Sequence, residues 1–180
     1  MGKGDFVDID FLLIQKMKHG DENAFDVFVH KHYEEILKYC GYNCDNISYA
    51  EDLTQETFVR FFAKLSDYHY MGKTRNYLYT IAGNLCRDYY KKAKESLLEE
   101  PPMEVQDSLG QSEADKILDR ITIEAALKSL PGELREVIVL YYFQELKLTE
   151  ISEVLQIGLP LVKYRIKQAK MRLEQLLKEE

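Results

Sequence analysis

Three groups of side chains in this sequence are spaced to do more than fold it. In "SYAEDLTQETFVRFF", residues 48–62, Asp52, Gln55 and Glu56 share one face of a helix, while Thr54, Phe58, Phe61 and Leu65 gather on the other. Two carboxylates and an amide thus form a compact patch. A local Glu56–Arg60 pair at i,i+4 would account for part of it, at roughly a few tenths of a kcal/mol. In "TRNYLYTIAGNLCRDYYKK", the face opposite Leu78, Ile81, Ala82, Leu85 and Tyr89 carries Thr80, Asn84, Arg87, Tyr90, Lys91 and Lys94. Before it, "SDYHYMGKTR" sets Tyr68, His69 and Tyr70 beside Lys73 and Arg75. Aromatics next to cations stack on unpaired bases while holding the backbone, which is the chemistry of single-stranded nucleic acid. Packing explains the loop trio equally well, and explains Tyr77, Tyr79 and Tyr89 better. The third group runs from Lys163 to Arg172, five basic residues and no acid. Lys163, Lys167 and Lys170 fall at i, i+4, i+7 and line one exposed helix face, which fits a major groove and meets both phosphates and base edges. The plainer alternative is a solvated surface with scattered lysines.

The elements that must hold these groups are helices, because the apolar spacing is helical almost throughout. Ser48 and Glu51 predict a capping box. Asp21 is placed as the cap of a helix burying Phe25, Phe28, Val29, His32, Ile36 and Tyr39, and a shorter helix, "DFLLIQKMKHG", ends at Gly20. "KESLLEEPPMEVQDSLGQSEADK" breaks the pattern with Pro101-Pro102, Gly110 and a run of acids, and reads as a solvated linker. Helices resume near Ser112, with Pro131 at a first turn. "LTEISEVLQIGLPLVKYRIKQAKMRLEQLL" then gives helix, a short turn containing Gly158, and a longer helix with Val162, Ile166, Ala169, Leu173 and Leu176 inward against Ile151, Val154, Leu155 and Ile157. That spacing fits a helix-turn-helix. The predicted fold class is all-α: two small helical domains, residues 1–94 and 119–180, joined by a flexible acidic linker over 95–118.

Composition removes other classes. The chain has 180 residues, 46% of them hydrophobic, with no apolar run near the roughly 18 residues of a membrane span. "MGKGDFVDID" lacks an apolar signal region and a myristoylation serine or threonine, so a cytoplasmic protein without membrane insertion is expected. Cys40, Cys44 and Cys86 form no C-x-x-C pair and have no histidine cluster, so no metal site or disulfide framework is expected; core-facing thiols are favoured over a Cys40–Cys44 pair. No nucleophile–base pair or phosphate loop appears, so no catalytic residues, cofactor or enzyme activity are expected. The net charge of −7 argues against a nucleic-acid partner until it is divided along the chain. Residues 46–94 hold 8 basic against 5 acidic residues, whereas 95–119 hold 1 against 8.

These residues carry a resemblance. "AEDLTQETFVRFF" with "NYLYTIAGNLCRDYYKK", followed by "SLPGELREVIVLYYFQELKLTEISEVLQIGLPLVKYRIKQAKMRL", resembles the two conserved domains of bacterial sigma factors, closest to the small extracytoplasmic-function (ECF) type. The resemblance implies an alternative RNA polymerase sigma subunit. Asp52, Gln55 and Glu56 match the family's docking helix for the clamp of the largest polymerase subunit, where carboxylates accept charge-assisted hydrogen bonds from arginine. Tyr68, His69, Tyr70, Lys73, Arg75, Asn84, Arg87, Asp88 and Lys91 match the surface that melts and reads the −10 element. Lys163, Tyr164, Arg165, Lys167, Gln168 and Lys170 match the reader of the duplex −35 element. The implied partners are core RNA polymerase and promoter DNA. No fused sensory domain is expected, so an anti-sigma factor is a further family-based expectation.

One stretch departs from the family pattern. Where members commonly read I-P-x-G-T-V-K-S-R, this chain has "IGLPLVKYR", with Leu161 in place of a capping threonine and Tyr164 in place of a small serine. Loss of that cap is expected to cost about 1 kcal/mol. Two rival readings remain at this point: a conventional helix-turn-helix regulator binding duplex DNA without polymerase, and a protein-interaction module. The first does not need the Asp52–Gln55–Glu56 patch, and the second leaves the basic face of 163–172 unexplained.

Overall fold

The structure, a computed structural model, describes residues 8–44, 46–96 and 123–176. All regular structure among these residues is helical: α1 Ile9–Lys18, α2 Glu22–Asn43, α3 Ile47–Ala63, α4 Thr74–Ser96, a helical stretch over 123–129 (α5), α6 Gly132–Ile138, a π-helical turn Val139–Phe143, α7 Leu148–Leu155 and α8 Leu159–Leu176. No described helix is long and apolar enough to cross a membrane.

Capping side chains set the starts of the first three helices. Asp8 accepts from the Asp10 N–H at 2.9 Å, Asp21 from Ala24 at 3.3 Å, and Asn46 from Ser48 at 2.8 Å, each satisfying an amide that the helix cannot pair itself. Asn46 therefore displaces the expected Ser48–Glu51 capping box. Because α3 begins at Ile47, Ser48 already lies inside the helix as a recipient of the cap. Gly20 ends α1 at φ +82°, a left-handed conformation that suits glycine.

Helices α1 to α4 bury one aromatic-rich core. Phe28 is fully buried and stacks on Phe61 with centroids 4.9 Å apart and planes 7° from parallel, while Tyr39 and Tyr79 close its far end at 5.2 Å. The predicted inward stripes hold: Phe28, His32, Ile36 and Tyr39 are buried on α2, and Leu78, Ala82 and Leu85 on α4. Asp10 joins α1 to α2 through His32 Nε2 at 3.0 Å and Lys31 Nζ at 2.7 Å. Helices α5 to α8 bury a second set, with Leu127, Leu134, Val137, Leu140, Ile151, Val154, Val162, Ile166 and Ala169 inward. Leu176, expected on that stripe, is instead exposed, because α8 runs past the body of its domain.

The two sets touch. Helix α7 lies against α4, and α6 with the π-turn reaches α2. The linker predicted over 95–118 and the helix expected from Ser112 lie largely outside the described residues; 95 and 96 close α4.

Candidate nucleic-acid interface

The α3 patch is presented as its spacing predicts. Thr54, Thr57, Phe58 and Phe61 are buried, which fixes the opposite face outward: Asp52 and Gln55 are exposed and Glu56 is half-buried. Arg60 Nε donates to Glu56 Oε1 at 2.8 Å, so this carboxylate already has a local partner and a fixed direction.

The tyrosine loop divides into packed and open members. Tyr68 stacks on Tyr77 at 5.2 Å, meets Phe61 edge-on, and shares a hydrogen bond with the Thr74 hydroxyl at 3.3 Å. Tyr70 leans on Phe11 at 5.4 Å, and burial together with the Asp8 carboxylate beside it raises its phenol above the ordinary range. His69 alone of the trio is exposed, its Nδ1 2.8 Å from the Asp67 carbonyl. Lys18 Nζ pins the loop by donating to the carbonyls of Tyr68 at 2.7 Å and Ser66 at 3.3 Å.

On α4, Asn84, Arg87, Asp88 and Lys91 are exposed, and Asn84 Oδ1 accepts from Arg87 Nη2 at 2.6 Å. The cations of this surface also face the second domain. Arg87 Nη1 donates to Glu136 Oε1 at 2.6 Å, Lys73 Nζ to Glu153 Oε2 at 2.6 Å, and Arg75 to the Gln144 carbonyl. Arg75 also reaches Glu35 at 3.3 Å and sits 5.6 Å from the centre of the Tyr79 ring.

The second domain supplies the helix-turn-helix. Gln156 takes the left-handed conformation at φ 54°, ψ 40°, and its N–H closes on Glu153 at 3.3 Å, so the chain reverses there before Gly158. Gly158 accepts the amides of Leu161 and Val162, which makes Leu161 the third residue of α8 rather than its cap. The expected loss of a threonine cap therefore does not arise. Val162, Ile166 and Ala169 bury one face, leaving Lys163, Tyr164, Lys167 and Lys170 outward. Gln168 is half-buried, and Arg165 turns inward to Glu133 at 2.7 Å. Lys170 lies 5.3 Å over the Tyr142 ring; a hydrogen bond with that phenol raises its ammonium above the usual value.

Sequence reasoning missed the polar residues between the domains. Glu136 is buried and accepts from Tyr39 Oη at 2.7 Å as well as from Arg87. Burial, reinforced by the Glu136 charge, holds the Tyr39 phenol well above its ordinary pKa, so it stays a donor. Gln144 accepts from Tyr79 Oη at 2.6 Å, and burial pushes that phenol up to about 12 against the opposing pull of Arg75. The signal for Glu136 is a carboxylate directly before the apolar run "VIVL", one turn from the apolar Leu140. The three cysteines are buried, and Cys44 Sγ lies 4.0 Å from Cys86 Sγ. Among the described residues no group of three or more histidine, cysteine or acidic side chains is placed to hold a metal ion.

Residues 28–96 match the Sigma-70 region 2 family and residues 120–173 match Sigma-70 region 4. The chain is 32% identical over 178 residues to the ECF RNA polymerase sigma factor SigW of Bacillus subtilis (strain 168), a match covering 92% of this chain and 95% of that protein. It is similar to the solved structure of CnrH in complex with the cytosolic domain of CnrY, with TM-score 0.72 and 25% identity over 96% of this chain and 99% of that one. It also shares the fold of RpoE, solved with the anti-sigma factor NepR from Bartonella quintana, at TM-score 0.74 and 20% identity over 86% and 96% of the two chains. With both regions present in order and a relative above 30% identity matched over most of its length, the chain belongs to the ECF family of sigma factors, alternative subunits that bind core RNA polymerase and promoter DNA to initiate transcription.

Proposed function

We propose that the three surfaces divide promoter recognition among them. The region-two domain, residues 1–94, docks on the polymerase clamp through Asp52, Gln55 and Glu56. It captures the melted −10 strand with the loop Tyr68–His69–Tyr70, with Lys73 and Arg75, and with Asn84, Arg87, Asp88 and Lys91 on α4. The region-four domain, residues 119–180, reads duplex −35 DNA with Lys163, Tyr164, Lys167, Gln168 and Lys170. In this role Arg165 braces α8 against Glu133 rather than entering the groove. The acidic segment 95–118 links the two and lies near the path of nascent RNA, whose charge it resembles.

The observation that supports this reading is the pairing of an outward acceptor patch on α3 with an acid-free cationic helix face on α8 in one chain. A polymerase-independent regulator has use for the second and none for the first. The protein works as a dissociable initiation factor with no catalytic step of its own, in the cytoplasm. Relatives of the same fold were solved with an anti-sigma factor or a partner's cytosolic domain, and an anti-sigma partner is proposed for this chain too. Reconstitution with core RNA polymerase and genome-wide mapping of transcript starts tests the function. Start sites sharing upstream −35 and −10 motifs are expected; tight, specific promoter binding by the free protein at physiological salt, with no transcription on adding core enzyme, would overturn it.

A further inference from the structure

Three sulfurs that the proposed function does not use converge in the core of the first domain. Cys40 and Cys44 stand one turn apart on α2, and Cys86 faces them from α4. All three carry free thiols and none is more than 3% exposed. Cys44 and Cys86, 42 positions apart in the chain, bring their Sγ atoms to 4.0 Å. A hydrogen bond between Cys40 and Cys86 lowers the Cys40 thiol, and the same bond, with help from Cys44, holds the Cys86 thiol well above its ordinary pKa.

The position of this pair in the fold adds a second observation. Cys44 ends α2 with extended backbone at φ −130°, ψ 149°, so it can shift with less disruption than a residue inside the helix, and it is reached when the helix end frays. Cys86 lies two residues past Asn84 and directly before Arg87, whose side chains share a 2.6 Å hydrogen bond on the outer face of α4. A disulfide requires sulfurs about 2.05 Å apart, so the pair must close by about 2 Å. In a close-packed interior that movement is passed to the helices themselves.

We propose that Cys44 and Cys86 form a reversible oxidation site: a small hydroperoxide converts them to a disulfide that ties the end of α2 to α4 and displaces the −10 face. With hydrogen peroxide, the Cys44 thiolate attacks one oxygen; an S–O bond forms, the O–O bond breaks, and the leaving hydroxide takes the thiol proton as water. The Cys86 sulfur then attacks the Cys44 sulfenic acid; an S–S bond forms, the S–O bond breaks, and hydroxide leaves with the Cys86 proton as a second water. Two electrons pass from the sulfurs to the peroxide, and a dithiol returns them by exchange. Disulfides inside reducing cells are typically transient and redox-sensing, which suits a pair at a movable helix end. The effect on promoter opening rests on the proposed −10 role of α4; the disulfide itself does not.

Full-length wild type, Cys40→Ala, Cys44→Ala and Cys86→Ala are treated with hydrogen peroxide, cleared with catalase, then denatured and alkylated. Alkylated thiols should fall from three to one in wild type and return on dithiothreitol. Non-reducing peptide mapping should show the 44–86 link in wild type and Cys40→Ala, and no internal link in the other two. Circular dichroism verifies folding beforehand; should a variant not fold, mapping of wild type carries the test. Three thiols surviving in wild type, or a link through Cys40, would overturn the proposal. Oxidised wild type, mixed with core polymerase after the catalase step, should lose permanganate-reactive thymines at the −10 element and regain them with dithiothreitol. Cys44→Ala should keep its signal through the same treatment. A 44–86 disulfide with unchanged opening overturns the displacement of the −10 face. Absence of opening by untreated protein sinks the sigma role and leaves the disulfide standing.

Discussion

The Asp10 carboxylate lies 3.0 Å from His32 Nε2, inside the first domain and beneath the tyrosine loop, with Lys31 Nζ on the same oxygen at 2.7 Å. Burial pushes this carboxyl's pKa up, but hydrogen bonds from His32 and then Lys31 outweigh it, and the net shift is downward from 3.8. A depressed folded-state pKa contributes stability that is present above the ordinary carboxylate range and lost as pH falls through the lowered value. Urea unfolding midpoints should therefore hold down to about pH 4 and drop below it. Asp10→Asn should lower the neutral-pH midpoint, at a cost of about 1–3 kcal/mol, and flatten the acid limb. A variant curve parallel to wild type through the acid range would refute the role given to Asp10.

Charge reversal on α3 should separate docking from folding. Asp52→Arg or Glu56→Arg is expected to weaken pull-down of core polymerase by at least about tenfold, equivalent to about 1.4 kcal/mol. Stability should fall by no more than about 1 kcal/mol, because Asp52 is exposed and half-buried Glu56 loses only its i,i+4 pair with Arg60. Undiminished capture by both variants means the patch faces something other than the clamp.

The two DNA surfaces should fail at different steps. Lys163→Ala or Lys167→Ala is expected to reduce closed-complex formation on duplex −35 DNA, at about 1–3 kcal/mol per lost base contact. Asn84→Ala should instead impair opening, and a template with a pre-melted −10 bubble should restore part of the signal. Permanganate footprinting of unpaired thymines on duplex and bubble templates reports both steps. Equal loss of closed complex from the two sets, without bubble rescue, contradicts the division.

The turn of the helix-turn-helix carries a removable cost. Gln156 holds φ 54°, a conformation that disfavours side chains with a Cβ by about 1–2 kcal/mol. Gln156→Gly should accordingly stabilise the second domain by about 1 kcal/mol, after the extra unfolded-state entropy of glycine is subtracted. Differential scanning calorimetry should show its transition several degrees higher; a lower transition would mean the glutamine side chain makes a contact worth more than the strain.

Much of this was legible in the residues because periodicity reports burial directly. Asp21 caps as its position suggests, and Phe28, Ile36 and Tyr39 turn inward together. The α3 patch is outward for the same reason. Misreadings came where two local rules compete. Ser48 looks like a cap, yet Asn46 reaches the amide first, and Leu161 aligns with a cap but lies within the first turn of α8. The tyrosine loop was undecided from sequence because stacking on bases and stacking on Tyr77 or Phe11 ask for the same residue types. The Glu136–Arg87 and Lys73–Glu153 pairs join residues 49 and 80 positions apart, a relation set by how two domains meet and not by any local pattern.

The π-helical turn at Val139–Phe143 acts as a phase shifter within a continuous run of helix from α6. Each α-helical residue advances the helix by about 100°, so one additional residue in a turn rotates everything downstream by a comparable angle. Upstream of the shift, Leu134, Val137 and Ile138 point into their own domain's core. Downstream, Phe143 and Gln144 are aimed across the gap at Tyr42 and Tyr79. A sequence shortened by one residue in this turn would keep its hydrophobic interior and lose its aim, leaving a well-folded second domain out of register with the first.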